Sequence, residues 1–417
     1  MNTNKKYVEL TAPAGSLESL QAAIKAGADS VYFGLKKLNM RVRSAKSFDM
    51  EDLPQIVQIC HHKKRRCYLT LNTLVYDNEI STAEEICDAA KNADIDGVIA
   101  TDWSAIQYAR KINLPVHVST QANISNLEAV QFYSHFADVL VLARELTLDQ
   151  IQAVCQGIQK KNILGPNGNP VAVEVFVHGA LCVAIAGKCY MSLAHTGHSA
   201  NRGDCFQICR RQFRVTDQET EEELLIDNQF VMSPKDLCTI GILDKIIGAG
   251  VSILKIEGRG RSPDYVFTVT KTYREAIDSV FNGTYSLKKI EQWEKTLETV
   301  YNRGFWQGGY YLGHKLGEWS ASYGSQATRK KIFCGKVIHY FGKPKVAEIL
   351  VQDGTIQIGD TIAIMGPTTG YAESQVTSLL VNDQEVDKAQ KGERPTLTFP
   401  EKVRPNDKVF IFRDRTK

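Results

Sequence analysis

Over roughly the first three hundred residues, short runs of β-branched and apolar residues alternate with stretches where apolar positions recur every three or four residues. The runs predict strands near Val8–Pro13, Ser30–Gly34, Arg66–Asn72, Gly97–Thr101, Val116–Thr120, Val139–Ala143, Val171–Val177 and Ile253–Glu257. The helical pattern covers Ser16–Ala28, Met50–Lys64, Ile80–Ala93, Asn126–Phe136 and Thr147–Gln159. Ser16, directly ahead of an apolar stripe, predicts an N-cap. Eight strands alternating with helices predict an α/β fold, a (β/α)8 TIM-like barrel, with a doubly wound open sheet as the competing arrangement.

In such barrels chemistry collects where each strand runs into the following loop. Those positions carry Gly15, Gly34, Asn72, Asp102, Ser119 to Gln121, Arg144 and Glu145, His178 and Gly179, and Glu257 to Arg259. Loops are polar anyway, which accounts for one or two of these residues but not for polar or glycine residues at every end. The seventh connection, Val177 to about Lys235, is far longer than the usual strand-to-helix loop, and loops of that length are usually functional.

After about Ser325 the helical period stops. From Phe333 onward short strands are punctuated by Gly-Lys-Pro, Asp-Gly, Gly-Pro and Asn-Asp turns, which predicts a small all-β barrel. The expected division is residues 1–325 and 330–417. The arrangement over Val351–Asp360, followed by Gly366–Gly370, resembles the second domain of translation elongation factors. That resemblance implies contact with RNA or a protein surface; a packing module without a ligand is the competing reading.

Composition narrows the class. With 43% hydrophobic and 23% charged residues the chain is globular, and a net charge of +3 neither requires nor excludes a nucleic-acid partner. The first residues lack the apolar core of a secretory signal, and no run approaches the ~18 apolar residues of a membrane span, so a cytoplasmic location without membrane insertion is expected. In a reducing cytoplasm, ten cysteines point to ligands or catalysts rather than disulfides. Cys60, Cys67, Cys87 and Cys155 lie on apolar faces or in a strand and read as small buried hydrophobes. The basic run His61–Arg66 precedes a strand, which places it on the face opposite the chemistry as a solvated surface.

The remaining thiols of the first 325 residues are Cys182, Cys189, Cys205, Cys209 and Cys238. Structural zinc sites present ligands as close pairs, and only Cys205 and Cys209 approach that spacing. Looser spacing fits an iron–sulfur cluster held from several loops. Spacing alone leaves cluster, zinc and unligated thiols open.

Glu174, Phe176, Gly179 to Cys182, Gly187, Cys189, Met191 and Ser192 reproduce a pattern that resembles the defining motif of the collagenase-like peptidases of unknown catalytic type. The stretches Ala12–Ser19, Gly27–Gly34, Leu71–Val75, Ser119–Asn126, Leu142–Ile151, Asn201–Arg210, Ser233–Cys238 and Leu254–Val266 match as well, so the resemblance spans the whole barrel. The name implies proteolysis, yet no Ser-His-Asp arrangement, metalloprotease helix or paired catalytic Asp motif can be read here, and a Cys182–His178 pair sits among four further thiols.

The resemblance is nearest to members that imply oxygen-independent hydroxylation with a [4Fe-4S] cluster and prephenate as oxygen donor. Their targets are the tRNA wobble uridine, a ribosomal RNA cytidine or the ubiquinone ring. One barrel followed by one small β domain most resembles the tRNA uridine proteins, which implies 5-hydroxyuridine formation in the anticodon loop; the paired quinone members leave room for a homologous protein partner. Carried over, the ligands are Cys182, Cys189, Cys205 and Cys238, with Cys209 either replacing Cys205 or packing behind the site. Arg144 and Arg259 are candidates to hold the dicarboxylate, against ion pairing with Glu145 or Glu257. His178 and Glu174 are candidate acid–base groups, and Asn72 and Gln121 substrate contacts. Arg210 and Arg211, with Arg214, are candidates to grip phosphate. A collagenase-like peptidase and a zinc-stabilised RNA-binding module are the alternatives from other classes.

Overall fold

The eight apolar runs pair side by side and all in one direction. The computed structural model describes residues 7–42, 47–214, 216, 218–220, 230–316 and 318–415. The first six residues, on which the reading of the N-terminus partly rests, lie outside the described residues. In chain order the barrel region consists of β1 (Glu9–Pro13), α1 (Leu17–Lys25), β2 (Ser30–Gly34), α2 (Leu53–His62), β3 (Arg66–Leu71), α3 (Ile80–Asn92), β4 (Gly97–Ala100) and α4 (Trp103–Lys111). It continues with β5 (Val116–Val118), α5 (Leu127–Ser134), β6 (Val139–Val141), α6 (Leu148–Lys161), β7 (Ala172–Gly179) and α7 (Met191–Thr196). The last part is β8 (Asp236–Cys238), α8 (Leu243–Gly248), β9 (Ile253–Ile256), α9 (Pro263–Phe281), α10 (Leu287–Glu298) and β10 (Phe305–Gln307).

Parallel pairing runs from β1 to β7 in order. It then closes through β9, which pairs with β7 at Glu174–Ile253 and with β1 at Glu9–Ile253. The fold is therefore the closed (β/α)8 barrel, not the open sheet. Strands covered on both faces read as continuous apolar runs, which is why their positions were legible. Ser16 caps α1 as expected, its hydroxyl accepting from the Ser19 amide at 3.3 Å.

Two strands lie outside the expected eight. β8 runs antiparallel to the end of β7, with Cys238 opposite His178, and β10 extends this pairing in parallel with β8. They stand at the C-terminal end of β7, outside the lining of the cavity at the barrel mouth.

Beyond residue 328 the chain forms an eight-stranded antiparallel sheet centred on Arg329–Phe341 and Lys408–Asp414, with a separate pair made by Thr355–Gln357 and Lys388–Gln390. This region has its own apolar core, including Val337, Ile349, Ile364, Phe399 and Val409. It docks on the barrel flank, where Ala22 of α1 packs among Ala363, Met365, Tyr371 and Phe412. Lys331 reaches Asp264, at the head of α9, at 2.6 Å. Among the described residues no helix is long and apolar enough to cross a membrane.

Candidate active site at the barrel mouth

The barrel interior is not wholly apolar. Lys255, on β9, points inward and pairs with Glu174 of β7 at 2.6 Å, while His117 of β5 lies 3.7 Å from the same carboxylate. Burial pushes the Glu174 carboxyl up, but Lys255 and His117 outweigh it and hold the group at about 2. Glu174 itself stands outside the cavity lining, paired with Lys255, which lines the floor.

Above this floor the strand ends enclose a cavity of about 320 Å³. Asn72, Gln121, Arg144, Glu257 and Arg259 line it, as the strand-end pattern predicted, together with Ser119, Thr120 and Glu145. Arg41, Lys255, Arg261 and Arg303 also line it and were not anticipated. Of these, only Lys255 left a signal, as a lysine inside an apolar strand. Arg41 and Arg303 come from connections that carry no periodic pattern.

The charges divide into paired and unpaired. Glu257 accepts from Arg41 at 3.0 Å, and Arg303 pairs with Asp236 at 3.1 Å. Burial raises the Glu257 carboxyl, but Arg41, Arg261 and Arg144 bring it down to about 2. Arg144 and Arg259 have no carboxylate within ion-pair distance among the described residues. Arg144 instead donates to the Ala180 carbonyl at 2.8 Å, lies 3.9 Å over the Phe176 ring, and keeps its buried Nε without a partner. Arg259 donates to Asn39 Oδ1 at 3.0 Å and to the Thr70 hydroxyl at 2.6 Å. Burial lowers both guanidinium pKa values, so each is a desolvated cation facing the cavity. Counting Arg210, seven cations line the cavity against Glu145 and Glu257, with Glu174 and Asp236 paired behind, which leaves three positive charges. An anion is the complementary occupant.

The long connection after β7 folds over this mouth. Cys182, Cys189, Cys205 and Cys209 all line the cavity. Burial, the largest cause, and the neighbouring Cys182, Cys205 and Cys189 push the Cys209 thiol up to about 11, against the pull of Arg210. Arg210 is half-buried and donates to the Leu181 and Pro234 carbonyls, both at 2.6 Å, so it joins the two ends of the connection. Arg211 is exposed and outside the cavity.

Cys238 and His178 both lie outside the cavity lining. Cys238 is fully buried beside Tyr273 and the Ile240 backbone, outside the cavity, and burial raises its thiol to about 12. The fourth thiol at the mouth is Cys209. His178 is likewise buried, its ring packed against Tyr265, Tyr273 and Phe305, with Nδ1 3.4 Å from the Tyr273 hydroxyl. Burial drops its pKa to about 3, which favours the neutral imidazole.

Four thiols in one cavity lining are a donor set of the kind used by iron–sulfur clusters and by structural zinc. No three of their sulfurs lie within 4.8 Å of one another, whereas a tetrahedral zinc with bonds of ~2.3 Å requires sulfurs about 3.8 Å apart. A four-iron cubane spreads its thiolate ligands more widely, and the excess positive charge of the cavity suits the net negative charge of such a centre. A different donor group, His61, Cys67 and Asp96, lies at the opposite end of the barrel. There Asp96 accepts from the Cys67 amide at 2.8 Å, as Asp29 does from Leu10 at the same distance, so the carboxylate has a structural task.

Fold and site together define a parallel (β/α)8-barrel protein whose seventh connection carries a thiol cluster across the mouth. The chain belongs to peptidase family U32, whose model matches residues 15–321. It is 53% identical over 415 residues, 100% of both chains, to a Porphyromonas gingivalis protein called collagenase. It is 31% identical over 374 residues, 87% of this chain and 84% of the relative, to tRNA hydroxylation protein P1 of Bacillus subtilis. It is also 34% identical over 328 residues to the 23S rRNA 5-hydroxycytidine C2501 synthase of Escherichia coli, covering 76% of this chain and 47% of that one.

Proposed function

We propose that the chain is an oxygen-independent RNA hydroxylase that converts the tRNA wobble uridine to 5-hydroxyuridine. The observation that carries this reading is the convergence, in one cavity, of four thiols with the carboxylate-free cations Arg144 and Arg259. Cys182, Cys189, Cys205 and Cys209 would hold a [4Fe-4S] cluster, which supplies the electron-transfer chemistry that C–H hydroxylation needs when dioxygen is absent. Arg144 and Arg259 bind the two carboxylates of prephenate, above the floor set by Lys255. Asn72 and Gln121 offer hydrogen bonds to the donor or to an extruded base, which an anticodon loop presents at small unstacking cost. Oxygen passes from the alcohol carbon of the donor to C5 of the base, and hydrogen takes its place on the donor. The two-electron oxidation of the base thus balances the reduction of the donor.

The relatives named for RNA hydroxylation support this reading, and the tRNA protein matches this chain over most of both lengths. The peptidase reading draws on the relative called collagenase. Against it, among the described residues no histidine lines the cavity with Cys182: His178, four residues away, is buried among Tyr265, Tyr273 and Phe305. The zinc-module reading meets the sulfur spacing as its obstacle. Nucleoside mass spectrometry of tRNA from a deletion strain tests the proposal. The expected result is loss of 5-hydroxyuridine and its derivatives, restored by the wild-type chain and not by Cys182→Ser. Unchanged nucleosides, together with Cys182-dependent gelatin cleavage by the purified protein, would overturn it.

A further inference from the structure

The long connection is split by charge, basic up to Arg214 and acidic from Asp217 to Asp227. Residues 182–214 carry five cations (Lys188, Arg202, Arg210, Arg211 and Arg214) against one carboxylate, Asp204, for a net +4, while the whole chain is only +3. The rest of the chain is therefore slightly negative. This segment lines the cavity from Cys182 to Gly187 and again at Cys189, Cys205 and Cys209.

Two of these cations are already engaged, Arg210 by the Leu181 and Pro234 carbonyls and Arg202 by Glu79 and the Tyr76 ring. Lys188 and Arg211 are exposed and have no ion pair among the described residues. Between the cavity-lining Cys189 and α7 stands Tyr190, 80% exposed, with Ile185 at 54% and Leu193 at 38% exposure. α7 packs on the turns Ala200–Arg202 and Ile208–Arg210, and the Phe206 amide donates to the Ser192 hydroxyl at 3.0 Å, so the segment is one body. An exposed tyrosine two residues from the exposed Lys188, in one body with the exposed Arg211, offers what single-stranded nucleic acid binds, cations for the backbone and an aromatic face for a base.

We infer that the outer face of residues 182–214 is the RNA-docking surface: Tyr190 stacks on a loop nucleotide adjacent to the one entering the cavity, and Lys188 and Arg211 contact the flanking phosphates. This rests on the reading of the chain as RNA-directed and adds where and how the RNA is held. It explains why a tyrosine follows Cys189 directly, since a base stacked there leaves its neighbour at the mouth.

The test uses the anaerobically purified full chain and fluorescence anisotropy, with a labelled RNA hairpin bearing an open loop and a duplex of the same composition. Wild type should bind the hairpin more tightly than the duplex. Tyr190→Ala should weaken hairpin binding about tenfold and leave duplex binding unchanged. Lys188→Ala with Arg211→Ala should lower the salt slope by about two. Iron content should be unchanged in all variants. Hairpin binding equal to wild type in every variant would overturn this surface while leaving an RNA-directed enzyme standing. Absence of hairpin binding by wild type, with gelatin bound instead, would overturn both.

Discussion

At the scale of single residues, burial decides which ionisable groups can take part in chemistry. His178 looked in sequence like an acid–base group at a strand end, yet its aromatic surroundings hold its pKa at about 3. An unfolded imidazole titrates near ~6.5, so its contribution to stability is complete above that pH and is lost as pH falls toward the folded value, at about 1.4 kcal/mol per unit. From pH 7 to pH 5 the urea-derived stability should drop by about 2 kcal/mol more in wild type than in His178→Phe. An equal drop in both proteins would show that His178 is not the source. Glu174 makes the opposite case, an ionised carboxylate required beneath the floor. Glu174→Gln leaves Lys255 buried without the carboxylate that offsets its desolvation, and should cost about 3–5 kcal/mol in denaturant unfolding. Adding Lys255→Met should recover most of that loss, whereas an additive double variant would mean the two side chains are not coupled.

Among the elements, the strand ends hold the cations in place. Gly34, the last residue of β2, has no side chain because a Cβ there would overlap Arg259 and come within 2.8 Å of Asn39 and Thr70, the two groups that Arg259 donates to. Gly34→Ala should therefore weaken prephenate binding by calorimetry much as Arg259→Ala does, by about 1.5–3 kcal/mol, with iron content unchanged. Wild-type affinity in Gly34→Ala would remove Arg259 from the anchor role. The barrel strands were legible because a parallel strand buried on both faces writes itself as an apolar run, and β2 was placed to the residue. Asn72, Gln121, Arg144 and Arg259 followed once strand ends were known. Cys238 lies apart from them, its thiol beside Tyr273, and its place in a cysteine series says nothing of which side of β8 the thiol takes. Arg41 and Arg303 were invisible for a related reason: they are brought to the mouth by irregular connections, where no period marks direction.

At the scale of the whole molecule, the C-terminal sheet is fixed to the barrel by close backbone approach. Gly370 has φ +69, and a Cβ on it would lie 2.8 Å from the Ala22 amide of α1. Gly370→Ala should cost about 1–3 kcal/mol and speed tryptic cleavage after the exposed Lys315; unchanged proteolysis would mean the two parts do not depend on this contact. The mouth is the other feature that only the assembled fold creates, since thiols from one connection meet cations from many strand ends. Metal and sulfide analysis of anaerobically purified chain tests that centre most directly. The account predicts about four irons and four acid-labile sulfides per chain, lost in Cys209→Ser and retained in Cys238→Ser. Zinc without sulfide, or a full cluster in Cys209→Ser and none in Cys238→Ser, would contradict it.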